Sequence, residues 1–178
     1  MNIAVYLGAN PGNDPAFSAA IRELGDWIAR SGHTLVYGGS KAGLMGELAG
    51  AALSAGGAVI GVETQYFMER NAEYPGLTQL IVAPDIPERR KIMIDLSQAF
   101  IAFPGGTGTL EEISEVISRV SMGQLHAPCI LYNLNGYYES LRALFDKMLD
   151  TGLCTKERLS GVSFADNLEE IKDLLKGR

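Results

Sequence analysis

Ala99-Phe100-Ile101-Ala102-Phe103-Pro104-Gly105-Gly106-Thr107-Gly108-Thr109-Leu110-Glu111-Glu112 is the stretch that decides how this chain folds. The apolar run Ala99–Phe103 reads as a strand buried on both faces, because a half-exposed strand would alternate apolar with polar residues. Proline and glycines then break the run, and a helical pattern extends from Thr109 to Met122. A buried strand, a glycine turn and a helix together make one half of a parallel crossover unit.

The same order recurs on both sides. Upstream, Ile3–Leu7 is a short apolar run that stops at the turn-rich loop Gly8-Ala9-Asn10-Pro11-Gly12. Phe17, Ile21, Leu24 and Ile28 then form the stripe of an amphipathic helix that ends at Gly32. Leu35–Tyr37 is a strand followed by Gly38-Gly39 and a small-residue helix from Leu44 to Ala55. Ala58–Val62 and Leu80–Val82 are strands separated by a polar, poorly periodic connector at Glu63–Gly76. Pro87 suits the first turn of a helix reaching Ser97. Downstream come a strand at Pro128–Tyr132, a helix at Tyr137–Asp150 and a last helix at Leu168–Leu175. With no repeat, low-complexity tract or linker, residues 1–178 read as a single Rossmann-like nucleotide-binding domain. Its fold class is α/β, a doubly wound parallel sheet with right-handed crossovers and helices on both faces.

Composition narrows the function. With 178 residues, 47% apolar and 20% charged, the chain matches an ordinary globular domain. Its longest apolar runs are strand-length, too short to span a membrane, and Met1-Asn2-Ile3 enters a strand with no basic leader. Cys129 and Cys154 have no metal spacing and form no disulfide framework, so a cytoplasmic setting is expected. The net charge of −6, without basic clusters interleaved with aromatics, argues against a nucleic-acid partner. A small anion remains compatible, because local backbone dipoles can hold it.

In open parallel sheets the ligand crevice lies beyond the carboxyl ends of the strands. Gly8, Gly38-Gly39 and Gly105-Gly106-Thr107-Gly108 all fall at such ends. Each leads toward a helix whose first N–H groups are unpaired and partly positive, a natural phosphate seat. Gly8 alone reads as a steric turn, whereas two glycine-rich turns in one small fold favour a phosphate. Neither turn is a Walker loop or a dinucleotide fingerprint. Thr109-Leu110-Glu111-Glu112 fits a capping box in which Glu112 reaches back to the Thr109 N–H. The alternative is that Glu111 and Glu112 stand at the mouth of the site to hold ribose hydroxyls or direct a water. Arg89-Arg90-Lys91 puts cations in a first helical turn, against the helix dipole. That run is either a solvated face or a set of side chains overhanging the crevice. His33, after a helix-ending glycine, reads as a surface residue, and His126 lacks metal or triad partners. Trp27, Tyr137, Tyr138, Met45, Met93 and Met122 read as packing residues, although an aromatic near a crevice can stack on a base.

Tyr37–Gly46 (YGGSKAGLMG) and Pro104–Glu112 (PGGTGTLEE) resemble the signatures of the LOG ("Lonely guy") family, whose members are cytokinin riboside 5′-monophosphate phosphoribohydrolases. The resemblance runs from Val5 to Tyr138 and includes Val59–Val62, Asn133 and Gly136-Tyr137-Tyr138. The family's Arg-Lys pair, fifteen residues before the signature proline, falls on Arg89 and Arg90. The resemblance implies that Arg89 and Glu112 are the catalytic pair and that Gly106, Thr107, Gly108 and Thr109 cradle the 5′-phosphate. It also assigns Gly38, Gly39, Ser40, Gly43, Arg90, Gly105, Leu110 and Glu111 to substrate binding. Gln98, Gly50 and the segment Arg119–Pro128 depart from the family pattern, which makes the reaction class a firmer expectation than the substrate. The expected reaction cleaves an adenine or N6-prenyladenine nucleoside 5′-monophosphate to free base and ribose 5-phosphate, without metal or organic cofactor. An older family label, lysine decarboxylase, would need pyridoxal phosphate on a lysine, and no lysine here sits at a recognisable site. The rival reading is a non-catalytic nucleotide carrier. A homodimer is expected from the resemblance and from Ile113, Val116, Ile117 and Val120, more apolar positions than one buried face needs.

Overall fold

The computed structural model describes residues 1–70 and 73–176; Asn71 and Ala72 of the expected connector and the last two residues lie outside the described set. Seven parallel strands form one sheet: β1 (Asn2–Tyr6), β2 (Thr34–Tyr37), β3 (Ala58–Thr64), β4 (Gln79–Ala83), β5 (Ala99–Ala102), β6 (Cys129–Tyr132) and β7 (Val162–Ala165). Their order is β4-β3-β2-β1-β5-β6-β7, so the strand order reverses between β1 and β5. In register, Ile3 pairs with Leu35 on one side and Ala99 on the other. This is the doubly wound Rossmann-like sheet that the alternating elements imply.

Burial explains why the strands read as continuous apolar runs. Ile3 and Val5 belong to one core layer, with α1 (Pro15–Arg30), α2 (Gly43–Ser54) and α8 (Leu168–Leu175). Ala4 and Tyr6 belong to the opposite layer, with α4 (Ile86–Leu96) and α5 (Thr107–Ser121). Successive residues of a strand point to opposite faces, so covering both faces demands apolar residues at every position. Helix α1 is capped by Asp14, which accepts from the Ala16 N–H at 2.9 Å. Asp85 caps α4 in the same way through the Glu88 N–H.

Four short elements escape the sequence reading. Strand β7 carries a serine and is only partly covered, so it shows no continuous apolar run. Helices α3 (Gln65–Met68) and α7 (Lys156–Leu159) and the 3-10 turn Leu134–Gly136 are too short for periodicity to reveal. The last of these delays α6 to Glu139–Asp150. Ile117 and Val120 pack against the second core layer, so α5 leaves less surplus apolar surface than its sequence suggests. Among the described residues, no helix is long and apolar enough to cross a membrane.

Candidate active site

A cavity of about 590 Å³ opens at the carboxyl ends of β1, β2, β3 and β5. At its centre two turns nearly touch: a Cβ on Gly105 would come 2.9 Å from the Gly8 nitrogen and 2.8 Å from the Thr109 Cβ. Glycine at 105 is therefore demanded by the approach of the backbones. Gly106 and Gly108 differ. Neither has a positive φ, and a Cβ at either would meet nothing within 4 Å. The fold itself leaves room there for a Cβ, and both residues line the cavity. Glycine at these positions keeps the space before the α5 N-terminus open.

That N-terminus has no side-chain cap, because its N-cap residue is Gly106. Its first N–H groups carry partial positive charge and face outward for an anion. Thr109 is buried on the cavity wall, and its Oγ1 has no partner among the described residues. An orphaned buried hydroxyl is costly unless a ligand satisfies it. Tyr137 closes the same end, donating to the Gly105 carbonyl at 2.5 Å.

The other half of the site is built around Arg89. The inward face of α4 consists of Arg89, Met93 and Ile94, so helical spacing aims the guanidinium under the sheet's carboxyl edge. Arg89 is 8% exposed. Its Nε donates to the Val62 carbonyl at 2.8 Å and its Nη2 to the Gly38 carbonyl at 3.3 Å. Its Nη1 donates to Glu112 Oε1 at 2.9 Å, a charge-assisted pair. Glu63, at the end of β3, places Oε1 3.8 Å from Arg89 Nε, beyond hydrogen-bond reach. Burial raises the Glu112 carboxyl above its ordinary value, and Arg89 opposes that rise. Burial likewise raises Glu63, with the Thr64 N–H and Arg89 opposing.

These contacts overturn the capping-box reading. Helix α5 begins at Thr107, two residues earlier than expected, so Thr109 lies within its first turn. Glu112 accordingly turns to Arg89 rather than back to the Thr109 N–H.

The structure brings Arg89, Glu112, Ser40, Gly105, Gly106, Thr107, Gly108, Thr109 and Glu111 together on the cavity wall. Gly38, Gly39, Gly43, Arg90 and Leu110 do not line it. Gly38 acts from behind, through its carbonyl on Arg89. Gly39 turns the chain at φ +81, with its absent Cβ leaving room for Glu63. Gly43, at φ +47, lets α2 approach the Ala9 carbonyl, where a side chain would collide. Arg90 is held on α5 by Glu111 at 2.5 Å and Glu115 at 2.8 Å. Leu110 faces outward, 47% exposed. The turn that faces Gly105 across the cavity is thus Gly8-Ala9-Asn10, not Gly38-Gly39, because β1 and not β2 adjoins β5.

Sequence reasoning missed Glu63, which looked like the start of a polar connector. It also took Tyr137 and Met45 for packing residues, although both line the cavity. Phe67 and Ile86 complete the wall with Met45 on the β2–β3 side. Only the position of Tyr137 beside Tyr138 in the family-like Gly136-Tyr137-Tyr138 hinted at the first of these.

Known proteins resemble this chain along most of its length. A family model described as "Possible lysine decarboxylase" matches residues 45–175. A cytokinin riboside 5′-monophosphate phosphoribohydrolase of Rhodococcoides fascians is 40% identical over 94% of this chain and 85% of its own. One of Mycobacterium tuberculosis is 34% identical over 94% and 89%. Among solved structures, the molybdenum cofactor binding protein of Rippkaea orientalis superposes with a TM-score of 0.71 at 23% identity, covering 98% of this chain and 94% of its own. That likeness is one of fold. With a family model matching residues 45–175 and relatives of this identity along nearly its whole length, the chain belongs to the LOG family, whose model carries the lysine decarboxylase description.

Proposed function

We propose that this chain hydrolyses the N-glycosidic bond of a purine nucleoside 5′-monophosphate, of adenine or N6-prenyladenine, releasing free base and ribose 5-phosphate. The buried Arg89–Glu112 pair on the floor of the cavity carries the reading. Such a reaction develops positive charge at C1′ and negative charge on the departing base. Glu112 stabilises the cation, holds the ribose hydroxyls and directs the attacking water. Arg89 is too basic to give up its proton and acts electrostatically. The Gly8–Asn10 and Gly105–Thr109 turns take the phosphate, and this remote binding energy positions C1′ over the pair.

Pyridoxal phosphate does not fit the site: among the described residues no lysine lines the cavity to form a Schiff base. Incubation with AMP and isopentenyl-AMP, followed by chromatography for free base, tests the reading. Tight AMP binding with no base released would leave a carrier instead. The reading extends to a cytoplasmic homodimer. Both cysteines are free, as a reducing compartment favours, and Leu110 and Met122 at the two ends of α5 are exposed apolar residues available to a second copy. A monomer in light scattering at micromolar concentration would contradict the dimer.

A further inference from the structure

The cavity has a direction. Its anion seat lies over the adjoining ends of β1 and β5, while Met45, Phe67 and Ile86 form an apolar wall toward β2 and β3. A nucleotide with its phosphate in the seat therefore lays its base toward β3. Glu63 stands at that end of the cavity, only 3% exposed. Its hydrogen-bond partner among the described residues is the Thr64 N–H, which donates to Oε1 at 2.9 Å. Every nitrogen of the Arg89 guanidinium is already engaged elsewhere: Nε on Val62, Nη2 on Gly38 and Nη1 on Glu112.

We propose that Glu63 is the general acid of the reaction, delivering a proton to the purine as it leaves. The inference rests on the glycosidic hydrolysis proposed above. Arg89 cannot supply that proton, and Glu112 is committed to C1′ and the water, so the leaving base otherwise departs as an anion. Water oxygen attacks C1′, and the C1′–N9 electron pair passes to the purine. The Glu63 carboxyl proton goes to a ring nitrogen of that purine, and Glu112 takes a proton from the water. Glu112 then releases its proton and Glu63 regains one from solvent, restoring the enzyme. Burial favours the neutral carboxyl that such a donor needs. The groups facing Glu63 are Arg89 from α4, Glu73 after α3, Tyr37 from β2 and, across Arg89, Glu112 from α5. Of these only Arg89 is a cation, and it faces two carboxylates at once.

The test compares two substrates in wild type and Glu63→Gln. AMP has a leaving group that needs protonation; the 4-nitrophenyl riboside 5-phosphate has one that departs unaided. Glu63→Gln is expected to lower kcat on AMP by about a hundredfold or more, the usual weight of a general acid, with less than about a tenfold loss on the nitrophenyl substrate. In wild type, kcat on AMP is expected to fall as pH rises through the Glu63 ionisation, a limb absent with the nitrophenyl substrate. Equal losses on both substrates would make Glu63 a residue that merely positions Arg89 and overturn the proposal. A rise in KM alone would make it a base-recognition residue, with the same consequence. If wild type cleaves the nitrophenyl substrate but not AMP, Glu63 supplies no useful proton and the proposal fails while glycosidic hydrolysis stands. If wild type cleaves neither, the parent reading falls and takes this one with it.

Discussion

Replacing Gly38 with alanine tests the Arg89 assignment without touching a charged group. Gly38 has no positive φ, so its backbone accepts alanine. The added Cβ would lie 2.3 Å from Arg89 Nη2 and 3.2 Å from the Met45 sulfur. Relief to an ordinary contact of about 3.4 Å requires a guanidinium shift of about 1 Å. A shift of that size takes Nη1 out of hydrogen-bond range of Glu112, which it now holds at 2.9 Å. Misplacing a catalytic group by about 1 Å costs about a hundredfold in rate, or about 2.7 kcal/mol of transition-state stabilisation. Weakening a buried charge-assisted hydrogen bond costs a further ~1.5–3 kcal/mol of stability, a drop of several degrees in a chain of this size. The assay is adenine release from AMP with parallel calorimetric melting, run on Gly38→Ala, Arg89→Ala and the double variant. If Gly38 acts only through Arg89, the double variant turns over no more slowly than Arg89→Ala alone. Turnover of Gly38→Ala within about threefold of wild type, or losses that add, would refute the reasoning.

Three further outcomes are expected. Glu112→Gln should melt a few degrees below wild type, because a neutral amide accepts more weakly from the buried Arg89, while turnover drops by about two orders of magnitude; near-normal turnover removes its catalytic role. AMP should bind about a hundredfold better than adenosine in calorimetry, and Gly108→Val, whose Cβ would meet no atom within 4 Å, should fold normally and lose that preference. Glu63→Gln should gain stability relative to wild type as pH rises. The raised Glu63 carboxyl keeps its proton in the fold above the ordinary 4.5, so the wild type's stability is fully present below that value and is lost as pH climbs through the raised one. Melting at pH 4 and pH 8 checks this, and a constant difference between the two proteins would count against a raised Glu63.

Periodicity and turn chemistry carried the fold to the reader because they are local. Ala99–Phe103 with its glycine turn announces a buried parallel strand from neighbouring residues alone, and Phe17, Ile21, Leu24 and Ile28 announce a helix in the same way. The catalytic candidates Arg89 and Glu112 were legible too: one is an oddly charged helix start, the other a carboxylate beside a glycine turn. What those two residues touch was not legible, because a T-x-x-E pattern serves as a capping box or an ion-pair site according to where the helix begins. Starting at Thr107 and packing against α4 decided it, with Arg89 reaching Glu112 across 23 residues of sequence. Strand order was equally nonlocal. Nothing near Gly8 or Gly38 says which turn will face Gly105; the placement of β1 beside β5 decides it. Glu63 is the sharpest case. A polar residue after an apolar run reads as solvent-exposed connector, and only the two extra residues of β3, paired to β4 and roofed by Arg89, enclose its carboxyl in the cavity wall. Burial is a property of the packed chain, and so is the chemistry that burial creates.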